Sequence, residues 1–261
     1  MAEVLVSRDG AVTTVTLNRP EALNAITPTM HEALEDAFNR FAADDSQQVC
    51  IVTGAGERAF CAGSDVKGAA AAGGLPSGYP AHGYAGLIER FDCPKPFIAA
   101  VNGLALGGGF ELALACDLIV ATEAASFGLP EPLIGAIAIG GGLHRLARQL
   151  PLKQAMALIL TSRRLPAREA LALGLVNQLV PTAADLPQAV AAWCADILKG
   201  APAAVRASKA TTLRGLDEPG VAAAMAGQAG YPEFDAWWRS EDLKEGLRAF
   251  AEKRPPRWSG G

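Results

Sequence analysis

The stretch Pro96-Phe97-Ile98-Ala99-Ala100-Val101-Asn102-Gly103-Leu104-Ala105-Leu106-Gly107-Gly108-Gly109-Phe110-Glu111 leads on to Leu118-Ile119-Val120-Ala121, and its reading decides the fold. Phe97 to Val101 is a short, continuously apolar run of the kind that suits a strand buried on both faces, and Leu118 to Ala121 repeats it. Three adjacent glycines between them predict a helix that starts near Gly108. The result is a strand-helix-strand unit. Asn102, Glu111 and Asp117 interrupt its apolar character, so no run reaches the roughly 20 residues that span a bilayer.

Upstream, the same unit recurs. Val49-Cys50-Ile51-Val52-Thr53, closed by Gly54, reads as another buried strand. Thr27 can cap a helix with Pro28 at its first position, and Met30, Ala33, Leu34, Ala37, Phe38 and Phe41 recur at helical spacing behind it. Further back, Val4-Leu5-Val6 and Val12 to Leu17 flank Arg8-Asp9-Gly10, which predicts a hairpin. Downstream of about Leu143 strands almost vanish. Gln154 to Thr161, Ala167 to Leu173, Leu186 to Leu198, Pro202 to Leu213 and Glu241 to Lys253 all carry helical patterns. The expected architecture is therefore α/β: a spiral of ββα units followed by a helical C-terminal region.

Composition narrows the function classes. The 261 residues carry 23 Lys plus Arg against 27 Asp plus Glu, and this net charge of −4 argues against a nucleic-acid partner. Half of the residues are hydrophobic and only 6% aromatic, with 28 glycines, so much of the apolar content is small and suits close packing and subunit interfaces. Cys50, Cys61, Cys93, Cys116 and Cys194 form no C-x-x-C pair and no ligand spacing with His31, His82 or His144, so no metal site is expected. An odd cysteine count behind a start without a secretory pattern points to a reducing compartment, and the cytoplasm is the expected location.

Four segments carry candidate chemistry. Gly54-Ala55-Gly56-Glu57-Arg58-Ala59 matches a dinucleotide fingerprint, but Phe60 to Gly63 breaks the helix that it needs and no carboxylate lies near position 75. Gly107-Gly108-Gly109-Phe110-Glu111 opens a helix whose free N–H groups can bind a developing oxyanion; tight helix-strand packing explains the glycines equally well. Ala59-Phe60-Cys61-Ala62-Gly63-Ser64-Asp65 is a second small-residue turn whose backbone N–H groups can likewise face a ligand; an ordinary strand-to-helix turn with Asp65 near a helix start explains it too. In Ser126-Phe127-Gly128-Leu129-Pro130-Glu131-Pro132, two prolines fix a carboxylate that is otherwise an ordinary loop charge. Lys67 to Phe91 includes a Gly- and Pro-rich, uncharged tract that reads as a mobile lid or pocket rim, or as a variable surface loop.

Together the segments at 59–65, 107–111 and 126–132 resemble the crotonase, or enoyl-CoA hydratase/isomerase, superfamily, and the likeness covers almost the whole chain. The likeness rests on Arg19 to Ala25, Ala59 to Asp65, Ala99 to Gly103 continuing to Glu111, Phe127 to Glu131, and Ser240 to Asp242 with Glu252 to Arg254. It implies a spiral acyl-CoA-binding catalytic core over 1–198 and a helical trimerisation region over 199–261, forming a homotrimer or homohexamer. The backbone N–H groups of Ser64 and Gly108 would form an oxyanion hole for a CoA thioester. Glu111 would orient and activate water, and Glu131 would exchange a proton at Cα. Coenzyme A would lie along Ala22, Leu23, Cys61, Ala62, Gly63 and Asp65, with Phe250 and Lys253 approaching the ligand of a neighbouring subunit. No cofactor is implied, since coenzyme A is part of the substrate.

A glutamate at both positions favours an enoyl-CoA hydratase. The alternatives are a specialised crotonase, either an isomerase or a carnitinyl-CoA-type dehydratase, and, from another class, a non-catalytic acyl-CoA binder or an RNA-binding relative. One departure stands out. Ile139 replaces a glycine of well-known hydratases, and it is expected to remove a close backbone approach and add bulk to the pocket.

Overall fold

The computed structural model describes residues 2–71, 73 and 78–260. The chain opens with β1 (Val4–Asp9) and β2 (Val12–Leu17), an antiparallel hairpin that turns through Gly10 at φ +54°. Next comes α1 (Pro28–Ala43), whose Thr27 hydroxyl accepts from Met30 N at 3.2 Å and so satisfies one of the helix's free donors. This helix buries Met30, Leu34, Ala37, Phe38 and Phe41 as the spacing predicts. His31 takes the inward place expected for Ala33, which lies off that stripe and is exposed.

The spiral continues with β3 (Val49–Gly54), β4 (Ala59–Cys61) and α2 (Val66–Ala71). It then passes through β5 (Phe97–Val101), β6 (Leu104–Leu106), α3 (Gly108–Ala115), β7 (Leu118–Thr122) and β8 (Ser126–Gly128). After α4 (Gly142–Gln149) and α5 (Leu152–Thr161) come the short β9 (Leu165–Pro166), α6 (Ala167–Ala172) and β10 (Gln178–Val180). The remainder is helical: α7 (Leu186–Leu198), α8 (Pro202–Gly215), α9 (Val221–Gly227), α10 (Pro232–Arg239) and α11 (Glu241–Glu252).

Two sheets organise the core. The larger has the order β1-β2-β3-β5-β7-β10 and is parallel apart from the β1 edge. The smaller, β4-β6-β8-β9, is parallel through its first three strands. Strand β5 shows why a continuous apolar run fits here. Phe97, Ala99 and Val101 face the main core, where Phe97 meets the rings of Phe38 and Phe41 at 5.8 and 5.3 Å, while Ile98 and Ala100 face a second cluster that includes Val190 and Cys194 of α7. With side chains alternating between two buried faces, every residue must be apolar.

The α/β expectation holds, with corrections of detail. Ala59 to Cys61, read as part of a turn, is a strand, and β6 and β8 pair alongside it. The strands β9 and β10 persist beyond residue 143. The dinucleotide reading fails as expected: Gly54 ends β3, no helix opens at Gly56, and the Asn102 side chain bonds Gly54 N, Gly56 O and Ala59 O to hold a tight turn. In the expected lid, residues 72 and 74–77 lie outside the described residues. The rest is α2 followed by a packed segment in which Tyr84, Ala85, Leu87 and Ile88 are buried, so 84–88 is not a surface loop. Among the described residues no helix is long and apolar enough to cross a membrane, and no group of three His, Cys, Asp or Glu is placed to hold a metal ion. All five cysteines are free and buried.

Candidate active site

The turn at 61–65 is held against the loop at 22–26. Ala62 N donates to Leu23 O at 3.0 Å, Ile26 N to Gly63 O at 2.8 Å and Asp65 N to Ile26 O at 3.0 Å. In this parallel bridge Ser64 uses neither of its own backbone groups, so its N–H points to the opposite side. The 22–26 loop is shaped by a left-handed Leu23 and Asn24, both at φ 54°. The Asn24 side chain fixes it, accepting from Arg19 N at 2.9 Å and donating to Ala59 O at 2.8 Å.

Gly108 is the first residue of α3, so its N–H has no partner within the helix. The two turns lie close together: a Cβ on Gly63 would fall 2.9 Å from Leu106 O and 3.2 Å from Gly108 N. The three glycines differ in what they pack against. Gly107 takes φ +54° and lies beneath Glu131, with a Cβ there 3.0 Å from the Glu131 Oε1 atom. Gly109 is a packing glycine, since its Cβ would sit 2.1 Å from the Cys61 carbonyl oxygen.

Glu111, one helical turn into α3, is buried at 4% exposure. Its Oε1 accepts from Gly142 N at 2.8 Å, and Gly140 packs so closely that a Cβ there would meet Glu111 Oε2 at 2.5 Å. Desolvation raises this carboxyl to about 7, and the nearby Glu131 charge adds to the rise while the Gly142 and Gly140 N–H groups and Arg145 oppose it. Glu131 stands at the start of a 3-10 turn between Pro130 and Pro132. Desolvation raises it too, and its Oε2 is buried with no hydrogen-bond partner. Two carboxyls, both raised by desolvation, thus stand near the Ser64 and Gly108 backbone. Such a pair is suited to holding and moving protons near neutral pH.

The structure brings Ser64, Gly108, Glu111 and Glu131 together, with Cys61, Ala62, Gly63, Ala22 and Leu23 beside them. The Asp65 carboxylate is engaged, accepting from Gly68 N at 3.0 Å as the cap of α2 and from Arg19 at 3.2 Å. Phe250 and Lys253 are not gathered here. They lie at the exposed end of α11, and among the described residues no hydrogen bond or ion pair joins them to the turns. Ile139 also departs from expectation: its side chain is 69% exposed, and Gly140 and Gly142 supply the close backbone approach around Glu111. A cleft of about 540 Å³ lies elsewhere, lined by Arg206, Pro232, Glu233 and Gly260 among others, and includes none of these residues.

A sequence profile of the enoyl-CoA hydratase/isomerase family matches residues 7–261. The chain belongs to this family. Among its relatives, carnitinyl-CoA dehydratase of Proteus mirabilis is 43% identical over 255 residues, covering 96% of each chain. The carnitinyl-CoA dehydratase of Salmonella arizonae is 42% identical over the full length of both. A crystal structure of an enoyl-CoA hydratase from Mycobacterium marinum superposes with a TM-score of 0.90 at 42% identity, covering 99% of each chain. The enoyl-CoA hydratase/isomerase fold expected from the sequence is thereby established.

Three residues beside the carboxyls escaped the sequence reading. Arg145 of α4 donates to Ile88 O at 2.6 Å and lends its charge to Glu111. Tyr79 and Tyr84 meet His31 edge-on, with ring centroids 5.0 and 4.7 Å away. The only sequence signal for the tyrosines was their place in a tract without charge, flanked by glycines.

Proposed function

We propose that the protein is an acyl-CoA hydro-lyase that reversibly adds water across the 2,3 double bond of an enoyl-CoA. The observation that carries this reading is the pair of desolvated carboxyls, Glu111 and Glu131, beside the N–H groups of Ser64 and Gly108. The two N–H groups donate to the thioester oxygen and stabilise the enolate charge that develops there. Glu111, ionised, takes a proton from a water as its oxygen bonds to Cβ. Glu131 gives a proton to Cα, its partnerless buried oxygen being free for the exchange. One proton enters the protein and one leaves, so water is added and the carboxyls exchange roles for the reverse reaction.

Coenzyme A is substrate, not cofactor, in this reading. It runs along the edge made by Ala22, Leu23 and the Cys61 to Asp65 turn, with Phe250 and Lys253 reaching it from a neighbouring subunit of a trimer or hexamer. The division into a core over 1–198 and a trimerisation region over 199–261, and a cytoplasmic location, belong to the same proposal.

A second reading, dehydration of a carnitinyl-CoA-type substrate, is favoured by the names of the relatives at 42 and 43% identity. It uses the same carboxyls on a β-hydroxyacyl thioester. A panel of enoyl- and β-hydroxyacyl-CoA esters, with and without a quaternary ammonium, separates the two by kcat/KM. Glu111→Gln distinguishes both from an isomerase: hydration should fall at least about 100-fold, whereas isomerisation relying on Glu131 should survive. Retained hydration in that variant would contradict the two-carboxylate reading.

A further inference from the structure

Tyr84 occupies a position that neither carboxyl explains. It is 4% exposed, and its ring lies against the first residue of α3: a Cβ on Gly108 would fall 2.4 Å from Tyr84 Cζ and 2.5 Å from its hydroxyl oxygen. Ser64 Oγ donates to that same oxygen at 3.3 Å. The phenol thus touches both residues whose N–H groups are assigned to the thioester oxygen. Because the oxygen accepts from Ser64, its own hydrogen remains available to donate.

The surrounding structure fixes this placement. Gly83, Ala85 and Gly86 all have positive φ, 75°, 55° and 64°, so the backbone on both sides of Tyr84 is in a region that an alanine seldom adopts. Ala85 N donates to His31 Nδ1 at 2.9 Å. Burial lowers His31 to about 4, so the ring is neutral and can accept there. The His31 and Tyr79 rings meet the Tyr84 ring edge-on, with centroids 4.7 and 5.5 Å away. Gly86 backs directly onto α1, where a Cβ would fall 2.6 Å from Glu35 Cα. Strained backbone, a neutral acceptor and an aromatic brace all serve to aim one phenol.

Resting on the hydro-lyase reading above, we propose that the Tyr84 hydroxyl is a third hydrogen-bond donor to the substrate thioester oxygen, completing the oxyanion hole of Ser64 N and Gly108 N. Burial raises the phenol well above its ordinary value, so it stays protonated and polarises the oxygen without transferring its proton. A fixed donor in a water-poor site gains strength as negative charge develops. The glycine at 108 then has a second purpose beyond helix start, because any side chain would displace the phenol.

The test uses a chromophoric enoyl thioester, para-dimethylaminocinnamoyl-CoA, whose absorbance shifts to the red when its carbonyl is polarised. The full-length wild type should red-shift it, and Tyr84→Phe should reduce the shift. In turnover of crotonyl-CoA, Tyr84→Phe should lower kcat by about 10- to 100-fold and change KM by less than about threefold. Replacing Tyr84 with difluorotyrosine, a stronger donor of nearly the same shape, should enlarge the shift and covers the case in which the Phe variant folds poorly. A wild-type shift and kcat in Tyr84→Phe, or no response to fluorination, would overturn the proposal while leaving the hydro-lyase reading intact. The reverse outcome, a Tyr84-dependent shift without turnover of any enoyl-CoA, would retain the donor and remove the hydro-lyase.

Discussion

Glu111 is buried in a place that favours its neutral form. Its carboxyl rises from 4.5 to about 7 on folding, chiefly through desolvation. The native state therefore holds this proton more tightly than the unfolded chain. The cost of ionising Glu111 is absent below pH 4.5, grows between pH 4.5 and 7, and is complete above that, at roughly 3 kcal/mol. Glu111→Gln keeps an oxygen for the Gly142 N–H and removes the charge. Denaturant titrations should show the variant more stable than wild type at pH 8 and equal to it near pH 4. Equal stability at both pH values would mean that Glu111 is solvated as an ordinary surface carboxylate. At this scale the clustering of Glu111, Glu131, Ser64 and Gly108 was legible, because each sits at a fixed place in a recognisable family motif, while their roles belong to the proposal. Tyr84 was not legible, since no spacing reports that the left-handed Ala85 and the neutral His31 turn it toward Gly108.

Among the elements, α3 and β4 meet through glycine. A Cβ on Gly109 would lie 2.1 Å from the Cys61 carbonyl oxygen, and neither backbone can yield without moving Gly108 or the 61–65 turn. Gly109→Ala should cost about 1–3 kcal/mol of stability, read as a lower melting temperature, and should weaken CoA-ester binding as the two turns separate. Unchanged melting and binding would show that the turns are positioned independently of this contact. The long helices and the buried strands of the main sheet were readable from periodicity, as Leu186 to Leu198 shows. The three-residue strands β4, β6 and β8 were not, because a segment of that length carries no period. The helices α4, α9 and α10 were likewise missed; α9 and α10, only seven and eight residues long, bury no residue within this chain.

The whole molecule leaves apolar side chains uncovered at one end. Leu216, Val221, Met225, Trp238, Leu247 and Phe250 are each more than 60% exposed, all within the helices after residue 200 and the connections between them. Exposure of that kind supports the subunit surface proposed above for this region. The helices are also firmly tied to the core: Lys209 of α8 donates to Asp117 Oδ2 at 2.7 Å and to Lys95 O at 2.8 Å. Sedimentation should therefore give a mass of three or six chains, and Phe250→Glu should lower it. A monomer that binds CoA esters with full affinity would contradict both the assembly and a role for Phe250 and Lys253 in a neighbour's site.

On the proposed reading, Glu111 and Glu131 together add water to an enoyl thioester held by backbone N–H groups. It is tested most directly by following the conjugated enoyl-thioester absorbance when crotonyl-CoA meets the purified protein, beside its Glu131→Gln variant. Rapid loss of absorbance is expected with wild type, and at least about a 100-fold slower loss with the variant. Equal rates in the two proteins, or binding of the ester without any loss in either, would contradict it.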